Sequence, residues 1–293
     1  MFASALLSAA LAIPAADPVK PFELKDGDRV VWLGNTLVER EQRYGYWETA
    51  LLAANADKNI TVRNLGWSGD TVFGDARAGF DNAAKGYERM VSLALELKPT
   101  VIFINFGSNE AFEGKEGLPK FEKGLEKLLD SLKSAHARIV LFSPREFLPS
   151  PSLPDPKPAN ANLALYRDAI KTIAEKHGLR FADLFDAKRT SAGSLTDNGI
   201  HLTEIGYRET ASQFLASLGI DSPAASGEKL EPLRRAVIAK NEQFFNKWRP
   251  QNETYLFGFR KHEQGKNAKE IAEFDPFIAK AEDEIAKLRK GLK

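Results

Sequence analysis

The sequence contains no cysteine among its 293 residues, which excludes disulfide bonds, thiolate metal sites and a cysteine nucleophile. It also has almost no net charge, because 41 Lys and Arg residues balance 40 Asp and Glu residues to a formal charge of +1. Such a chain has no long-range field that would attract a polyanion. We therefore expect no nucleic-acid partner.

Long apolar runs are missing as well, except at the amino terminus, where residues 1–12 are apolar and rich in alanine. This run is too short to span a bilayer. Small residues around Ala12 and Ala16 precede the polar Asp17, which is typical of a peptidase cleavage site. Residues 1–16 are thus predicted to be a signal peptide, although Lys and Arg are missing from its start. The alternative is an apolar amino-terminal tail. We expect an exported protein, periplasmic or extracellular, with no integral membrane segment after signal removal.

The region from Lys20 to Gly219 alternates short apolar runs with longer stretches of helical periodicity. This alternation predicts an α/β fold of repeated βα units around a parallel sheet. Runs that are apolar nearly throughout suit strands covered on both faces. The domain is therefore predicted to be a three-layer, doubly wound structure. The predicted strands are Arg29–Leu33, Ile60–Leu65, Thr100–Phe106, Ala137–Phe142 and Arg180–Leu184.

A different region follows this domain. Residues 220–227 are small, polar and turn-forming, which indicates a linker. Residues 228–293 are predicted to form a C-terminal helical extension, with helices over Lys229–Trp248 and Asp275–Leu292. Between them, residues 248–264 concentrate aromatic and cationic side chains in a stretch expected to be irregular. This stretch either docks the extension on the main domain or lines the mouth of a sugar-binding site.

In a doubly wound domain, ligands bind at the carboxyl ends of the strands. Four loops of the predicted domain carry polar side chains or tight glycine turns at that edge: residues 34–36, 66–71, 107–110 and 197–201. They supply a hydroxyl, a glycine turn, an amide and an imidazole. Together these groups predict a binding or catalytic site.

These four loops resemble the sequence blocks of the SGNH (GDSL-type) hydrolase family, in the order that the family has them. The second block (SGDT), the third (GSNE) and the last (GIHL) match well, whereas Gly34-Asn35-Thr36 stands where the family has Gly-Asp-Ser. The resemblance extends over residues 29–219. It implies a flavodoxin-like fold and the hydrolysis of acyl esters, often of lipids or acetylated carbohydrates. We expect no cofactor.

Transferred residue by residue, the resemblance assigns Thr36 to the nucleophile position and His201 to the general base. It assigns Gly69 and Asn109 to the oxyanion hole, through a backbone N–H and a side-chain N–H. These groups suit acyl transfer, which needs an alcohol, a base and donors aimed at the developing oxyanion.

Two positions depart from the family. Thr36 is a secondary alcohol whose methyl group crowds the attack and limits the rotamers. The family's base is oriented by an aspartate three residues before it, and here that position holds Asn198, with Asp197 one residue further away. Changing such a carboxylate to an amide in a serine protease favours the wrong histidine tautomer. We therefore expect Asp197 to compensate if its loop turns it inward.

Each residue also has a purely structural interpretation. Thr36 could cap the following helix, Asn109 could satisfy loop backbone groups, and His201 could cap or pack against the last helix. Because His262 lies beside a single carboxylate, it is a weak metal signal and we predict no metal site. The preferred function is an exported esterase that acts on a carbohydrate or other small-molecule ester. The alternative is a catalytically impaired relative that binds a carbohydrate or another small ligand.

Overall fold

The computed structural model describes residues 20–186 and 194–292. The predicted signal peptide lies outside the described residues. Five strands form one parallel sheet in the order β2-β1-β3-β4-β5, which confirms the doubly wound, flavodoxin-like architecture. The strands are β1 (Arg29–Gly34), β2 (Thr61–Gly66), β3 (Val101–Asn105), β4 (Arg138–Phe142) and β5 (Arg180–Ala182).

The register of the sheet brings the site loops together. Gly34 at the end of β1 pairs with Gly66 at the end of β2 and with Asn105 at the end of β3. The three strands therefore end at the same level, and the loops that follow them start side by side. This is the geometry that a site at the carboxyl edge requires.

Apolar residues cover both faces of the sheet, which explains why the strands have no polar face. On one face the aromatic rings of Trp32, Phe103 and Phe142 pack with Phe214. On the other face, residues such as Ile104 and Leu141 pack in a second cluster. Since both faces are buried, the sheet lies in the middle of three layers.

Ten α-helices lie within the described ranges. Those of the sheet domain are α1 (Thr36–Tyr44), α2 (Tyr46–Ala54), α3 (Ala83–Glu96), α4 (Gly114–Leu132), α5 (Lys157–His177) and α6 (Glu204–Ser217). Those that follow are α7 (Glu231–Trp248), α8 (Glu253–Leu256), α9 (Lys261–Gln264) and α10 (Phe274–Lys290). None of them combines the length and the apolar content that crossing a bilayer requires.

The helix α1 was not expected from hydrophobic periodicity. Three of its four buried residues are polar, namely Glu39, Glu41 and Gln42. Glu41 accepts hydrogen bonds from the backbone N–H groups of Trp47 and Glu48, at 3.0 and 3.1 Å. Because the helix buries carboxylates that are hydrogen-bonded rather than apolar side chains, it has no apolar stripe to recognise.

The C-terminal helices pack directly against the sheet domain. Lys240 of α7 is fully buried and its Nζ donates to Glu48 Oε1 of α2 at 2.6 Å and to the Val62 carbonyl of β2 at 2.9 Å. Asn241 Nδ2 donates to the other oxygen of Glu48 at 2.9 Å. Both charges are thus paired and hydrogen-bonded, as burial demands. Residues 248–264, which were expected to be irregular, instead contain the one-turn helices α8 and α9.

Candidate active site

Thr36 lies at a tight turn from β1 into α1. A Cβ atom on Gly34 would come within 2.4 Å of the Val38 side chain and 2.8 Å of the Asn105 carbonyl, so only glycine fits this turn. Asn35 caps the helix, because its Oδ1 accepts the Leu37 N–H at 3.1 Å. Thr36 is therefore the first residue of α1, and the capping role that its structural interpretation proposed belongs to Asn35.

Gly69 brings the loop after β2 to the Thr36 hydroxyl. The backbone of Gly69 has a φ of +77°, a conformation that glycine adopts freely. Its N–H donates to Thr36 Oγ1 at a nitrogen–oxygen distance of 3.1 Å. The hydroxyl and the expected oxyanion donor are thus in direct contact.

Asn109 connects the loop after β3 to the same place. Its Nδ2 donates to the Asp70 carbonyl at 2.7 Å, and the amide carries a second N–H for a ligand. Behind it, the Glu110 carboxyl accepts the N–H groups of Val72 and Gly107, both at 2.8 Å. Burial raises the pKa of Glu110 to about 7, with backbone hydrogen bonds opposing the shift. The Glu110 carboxyl therefore connects the loop after β2 to the loop after β3.

His201 is held by a compact turn before α6. Asn198 Oδ1 accepts the backbone N–H groups of Ile200 and His201, at 3.1 and 3.0 Å. Gly199 has a φ of +87° and is packed so closely that an added Cβ would lie 2.4 Å from the Leu148 carbonyl. The helix α6 itself is capped by Thr203. The position of His201 is thus fixed by the turn, and it is not a helix cap.

The electrostatic environment of His201 differs from that of a carboxylate-backed base. The Asp197 carboxylate forms a salt bridge with Arg40 at 2.5 Å, and the side-chain oxygen of Asn198 is hydrogen-bonded to backbone N–H groups. Over residues 20–186 and 194–292, no hydrogen bond reaches a ring nitrogen of His201. Burial, and then the charge of Arg40, lower its pKa, and Asp197 opposes this shift. The lowered pKa favours the neutral imidazole that a general base requires.

Three of the expected residues line one open cleft. Thr36, Asn109 and His201 line it after three different strand ends or turns. Gly69 is not a lining residue, but its N–H donates to the Thr36 hydroxyl. Arg40 also lines the cleft. In the described part of the chain, no group of three or more His, Cys, Asp or Glu side chains is arranged to hold a metal ion.

The cleft also contains residues that the sequence did not single out. Ser108 brings a second hydroxyl, which accepts a hydrogen bond from Asn35 Nδ2 at 2.6 Å. Phe112 is 67% exposed at the cleft and its ring lies 5.9 Å from that of Phe147. Arg145 follows β4, so the rule that sites form after strand ends could have identified it.

Arg145 places a buried cation at the cleft. The residue is only 8% exposed, and its Nη1 donates to Gln213 Oε1 at 3.1 Å. No carboxylate of the described residues lies within salt-bridge distance of it. Burial accordingly lowers the pKa of the Arg145 guanidinium to about 10. It stays charged at neutral pH and adds positive potential to the site.

The aromatic segment after α7 divides into two parts. Trp248 and Arg249 dock on the main domain, where the Arg249 guanidinium lies 3.5 Å from the ring centre of Trp67. Phe259 is exposed and packs edge-on against Phe80 at 5.4 Å, and neither ring lines the cleft. The geometry therefore supports the docking interpretation for the first part of the segment.

A comparison with protein families matches this chain to the GDSL-like lipase/acylhydrolase family over residues 27–209. Among solved structures, a catalytic mutant of an acetylxylan esterase from Geobacillus stearothermophilus is similar, with a TM-score of 0.55 and 21% identity over 70% of this chain and 100% of the esterase. An α/β hydrolase enzyme from the metagenome of Lake Arreo, Spain, has a TM-score of 0.53 and 20% identity over 67% of this chain and 97% of its own. Comparison with curated proteins gives no match.

Because these solved structures are only 20–21% identical to this chain, they establish the fold alone. The family match confirms the resemblance to SGNH (GDSL-type) hydrolases. The match covers more than half of the chain, so this protein belongs to the GDSL-like lipase/acylhydrolase family and is an ester-bond hydrolase.

Proposed function

We propose that the protein is an exported esterase that removes small acyl groups, such as acetyl, from a carbohydrate, with Thr36 as nucleophile and His201 as general base. One observation carries this proposal. Thr36, Asn109 and His201 line one cleft, and the Gly69 N–H donates to the Thr36 hydroxyl. Four separate loops thus supply the groups that acyl transfer needs.

In the first half of the reaction, Thr36 Oγ1 attacks the ester carbonyl carbon while His201 takes the hydroxyl proton. The carbonyl oxygen becomes an oxyanion beside Oγ1. The Gly69 N–H, which donates to Thr36 Oγ1 before the attack, and the second N–H of Asn109 would donate to this oxyanion. When the intermediate collapses, the bond to the alcohol breaks and His201 returns the proton to the leaving oxygen.

In the second half, water attacks the acyl group on Thr36 and His201 takes a proton from it. The new intermediate collapses to the free acid and the Thr36 hydroxyl. The lowered pKa of His201 favours this role, because the imidazole must be neutral before each attack. Asp197 raises that pKa through its charge but is bound to Arg40, so its contribution to His201 is electrostatic.

The lining of the cleft supports a polar substrate over a long acyl chain. Arg40 and Asn105 offer hydrogen-bond donors, and the exposed ring of Phe112 provides a flat apolar surface of the kind on which a sugar ring stacks. The acetylxylan esterase that resembles this chain is named for such a substrate. An acetylated oligosaccharide is therefore the substrate to test first.

The Arg40–Asp197 pair supports the second candidate, a catalytically impaired member of the family that binds a carbohydrate or another small ligand. With Asp197 engaged, no described carboxylate orients the His201 ring. Imidazole tautomers without such a partner are catalytically less competent. Turnover separates the two candidates, because both predict that a sugar ester binds.

The test is acetate release from an acetylated xylo-oligosaccharide and from p-nitrophenyl acetate by the mature chain. We expect turnover that Thr36→Ala and His201→Ala each abolish. Ser108→Ala is the matched control, because it removes the other aliphatic hydroxyl of the cleft and should retain most of the activity. Binding without turnover would support the second candidate instead.

Two further predictions of the sequence enter this proposal. Residues 1–16 act as a signal peptide, and the functional unit comprises the domain 20–219, the linker 220–227 and the extension 228–293. Amino-terminal sequencing of the protein recovered from its native compartment tests the first. A fragment that ends at residue 219 tests the second and should be less stable than the full chain, since it removes Lys240 and Asn241, which bind the Glu48 carboxylate.

A further inference from the structure

The turn that presents Gly69 is held by contacts from outside the family domain. We define the oxyanion loop as residues 67–71, which follow β2. Arg249, directly after α7, places its guanidinium 3.5 Å from the ring centre of Trp67, the first residue of this loop. The ring of Trp248 lies 5.8 Å from the same indole. The end of α7 therefore covers the start of the oxyanion loop.

A second contact reaches the residue beside Gly69. Arg249 Nη1 lies 3.1 Å from Glu39 Oε2, and the same carboxylate oxygen accepts the Ser68 N–H. A salt bridge at a partly buried site restrains a carboxylate more than an exposed salt bridge does. Arg249 therefore holds the Glu39 carboxylate in place, and this carboxylate holds the Ser68 N–H. The Gly69 N–H is one peptide unit away.

A third contact reaches the far end of the loop. The buried Arg77 donates to Asp70 Oδ2 at 2.6 Å, and its guanidinium lies 5.6 and 6.0 Å from the rings of Trp67 and Trp248. The Asp70 carbonyl is the acceptor of Asn109 Nδ2. The indole of Trp248 thus lies against the guanidinium that binds Asp70, and the carbonyl of Asp70 accepts the Asn109 amide.

We propose that Trp248 and Arg249 are positioning residues of the oxyanion hole, so that the C-terminal extension completes the active site. The catalytic part of this inference rests on the proposed function. Neither residue reaches the cleft, and both act through Trp67, Glu39 and Arg77. Donors aimed at a developing charge lose effect when they shift by about 1 Å, which costs up to 10²-fold in rate.

The experiment compares Arg249→Ala, Arg249→Lys and Arg235→Ala in the full chain. Arg235 belongs to α7, the helix that Arg249 follows, but its side chain is 77% exposed and pairs only with Glu231 in the described structure, so it is the matched control. We expect Arg249→Ala to lower kcat about tenfold or more while KM changes by less than about threefold. Arg249→Lys keeps the charge for Glu39 but loses the planar stack on Trp67, so it should fall in between.

Hydrogen exchange at the Ser68 and Gly69 amides gives a readout that needs no turnover. We expect faster exchange of both amides in Arg249→Ala, with Tm close to that of Arg235→Ala. Exchange and kcat equal to those of the control would overturn the inference, as would a loss of activity explained by a lower Tm alone. If the unaltered chain has no turnover, the proposed function fails, whereas the exchange of the two amides still decides whether α7 positions the loop.

Discussion

The buried pair of Lys240 and Glu48 makes the C-terminal extension and the sheet domain interdependent, and Lys240→Met tests this. Both side chains are essentially without solvent contact, and Nζ lies 2.6 Å from Oε1. Methionine fills a similar volume without a charge. Removing one partner of a buried ion pair costs about 3–5 kcal/mol, because the other charge is left uncompensated.

This loss of stability should depend on pH. Burial already raises the pKa of Glu48, and Lys240 opposes that shift, so removing Lys240 raises the pKa further. A carboxyl whose pKa is higher in the folded state stabilises the protein below its unfolded pKa and loses that contribution as pH rises. The cost of Lys240→Met should therefore be smallest below about pH 4.5 and grow towards neutral pH.

Thermal and denaturant unfolding measure this effect. At about 2–4 °C per kcal/mol for a chain near this size, we expect Tm to fall by roughly 6–20 °C at pH 7. The double substitution Glu48→Gln with Lys240→Met removes both charges and should recover at least half of the loss. A single substitution with unchanged stability, or a double substitution no better than the single one, would refute the reasoning.

Three predictions concern the active site. Asn109→Ala should lower kcat by about 10²–10³, or roughly 2.7–4 kcal/mol, because it removes one oxyanion donor; a loss below about fivefold would remove Asn109 from this role. The acidic limb of the kcat/KM profile should lie below the ordinary histidine pKa of 6.5, and Arg40→Met should move it to higher pH, since Arg40 lowers the pKa of His201; an unmoved limb would contradict this. Thr36→Ser should raise kcat on p-nitrophenyl acetate because it removes the crowding methyl group, whereas a loss would show that the site is adapted to threonine.

Much of the fold could be predicted from the sequence because the strands are buried on both faces. The apolar runs around Val30, Ile104 and Leu141 mark the strands without ambiguity, and boundaries differ by one or two residues at most positions. Hydrophobic periodicity could not predict the extent of α1, because this helix buries carboxylates. Its Glu41 has a pKa raised to about 8 by burial and is recognisable only once its hydrogen-bond partners on α2 are known.

The site residues could be predicted where chemistry follows strand ends, as for Thr36, Gly69 and Asn109. Their roles stay predictions that the experiments above test. The partner of Asp197 could not be predicted, because Arg40 lies 157 residues away in the chain and meets it only through the fold. The contact of Arg249 with Trp67 could not be predicted from motifs either, because Trp67 lies inside the family match and Arg249 lies outside it.

The identity of the nucleophile is the central claim, and covalent labelling tests it most directly. A fluorophosphonate reacts with an activated hydroxyl, and peptide mapping by mass spectrometry identifies the labelled residue. We expect a single label on Thr36 that His201→Ala prevents and Ser108→Ala leaves intact. A label on Ser108, or no label on a chain that still releases acetate, would contradict it.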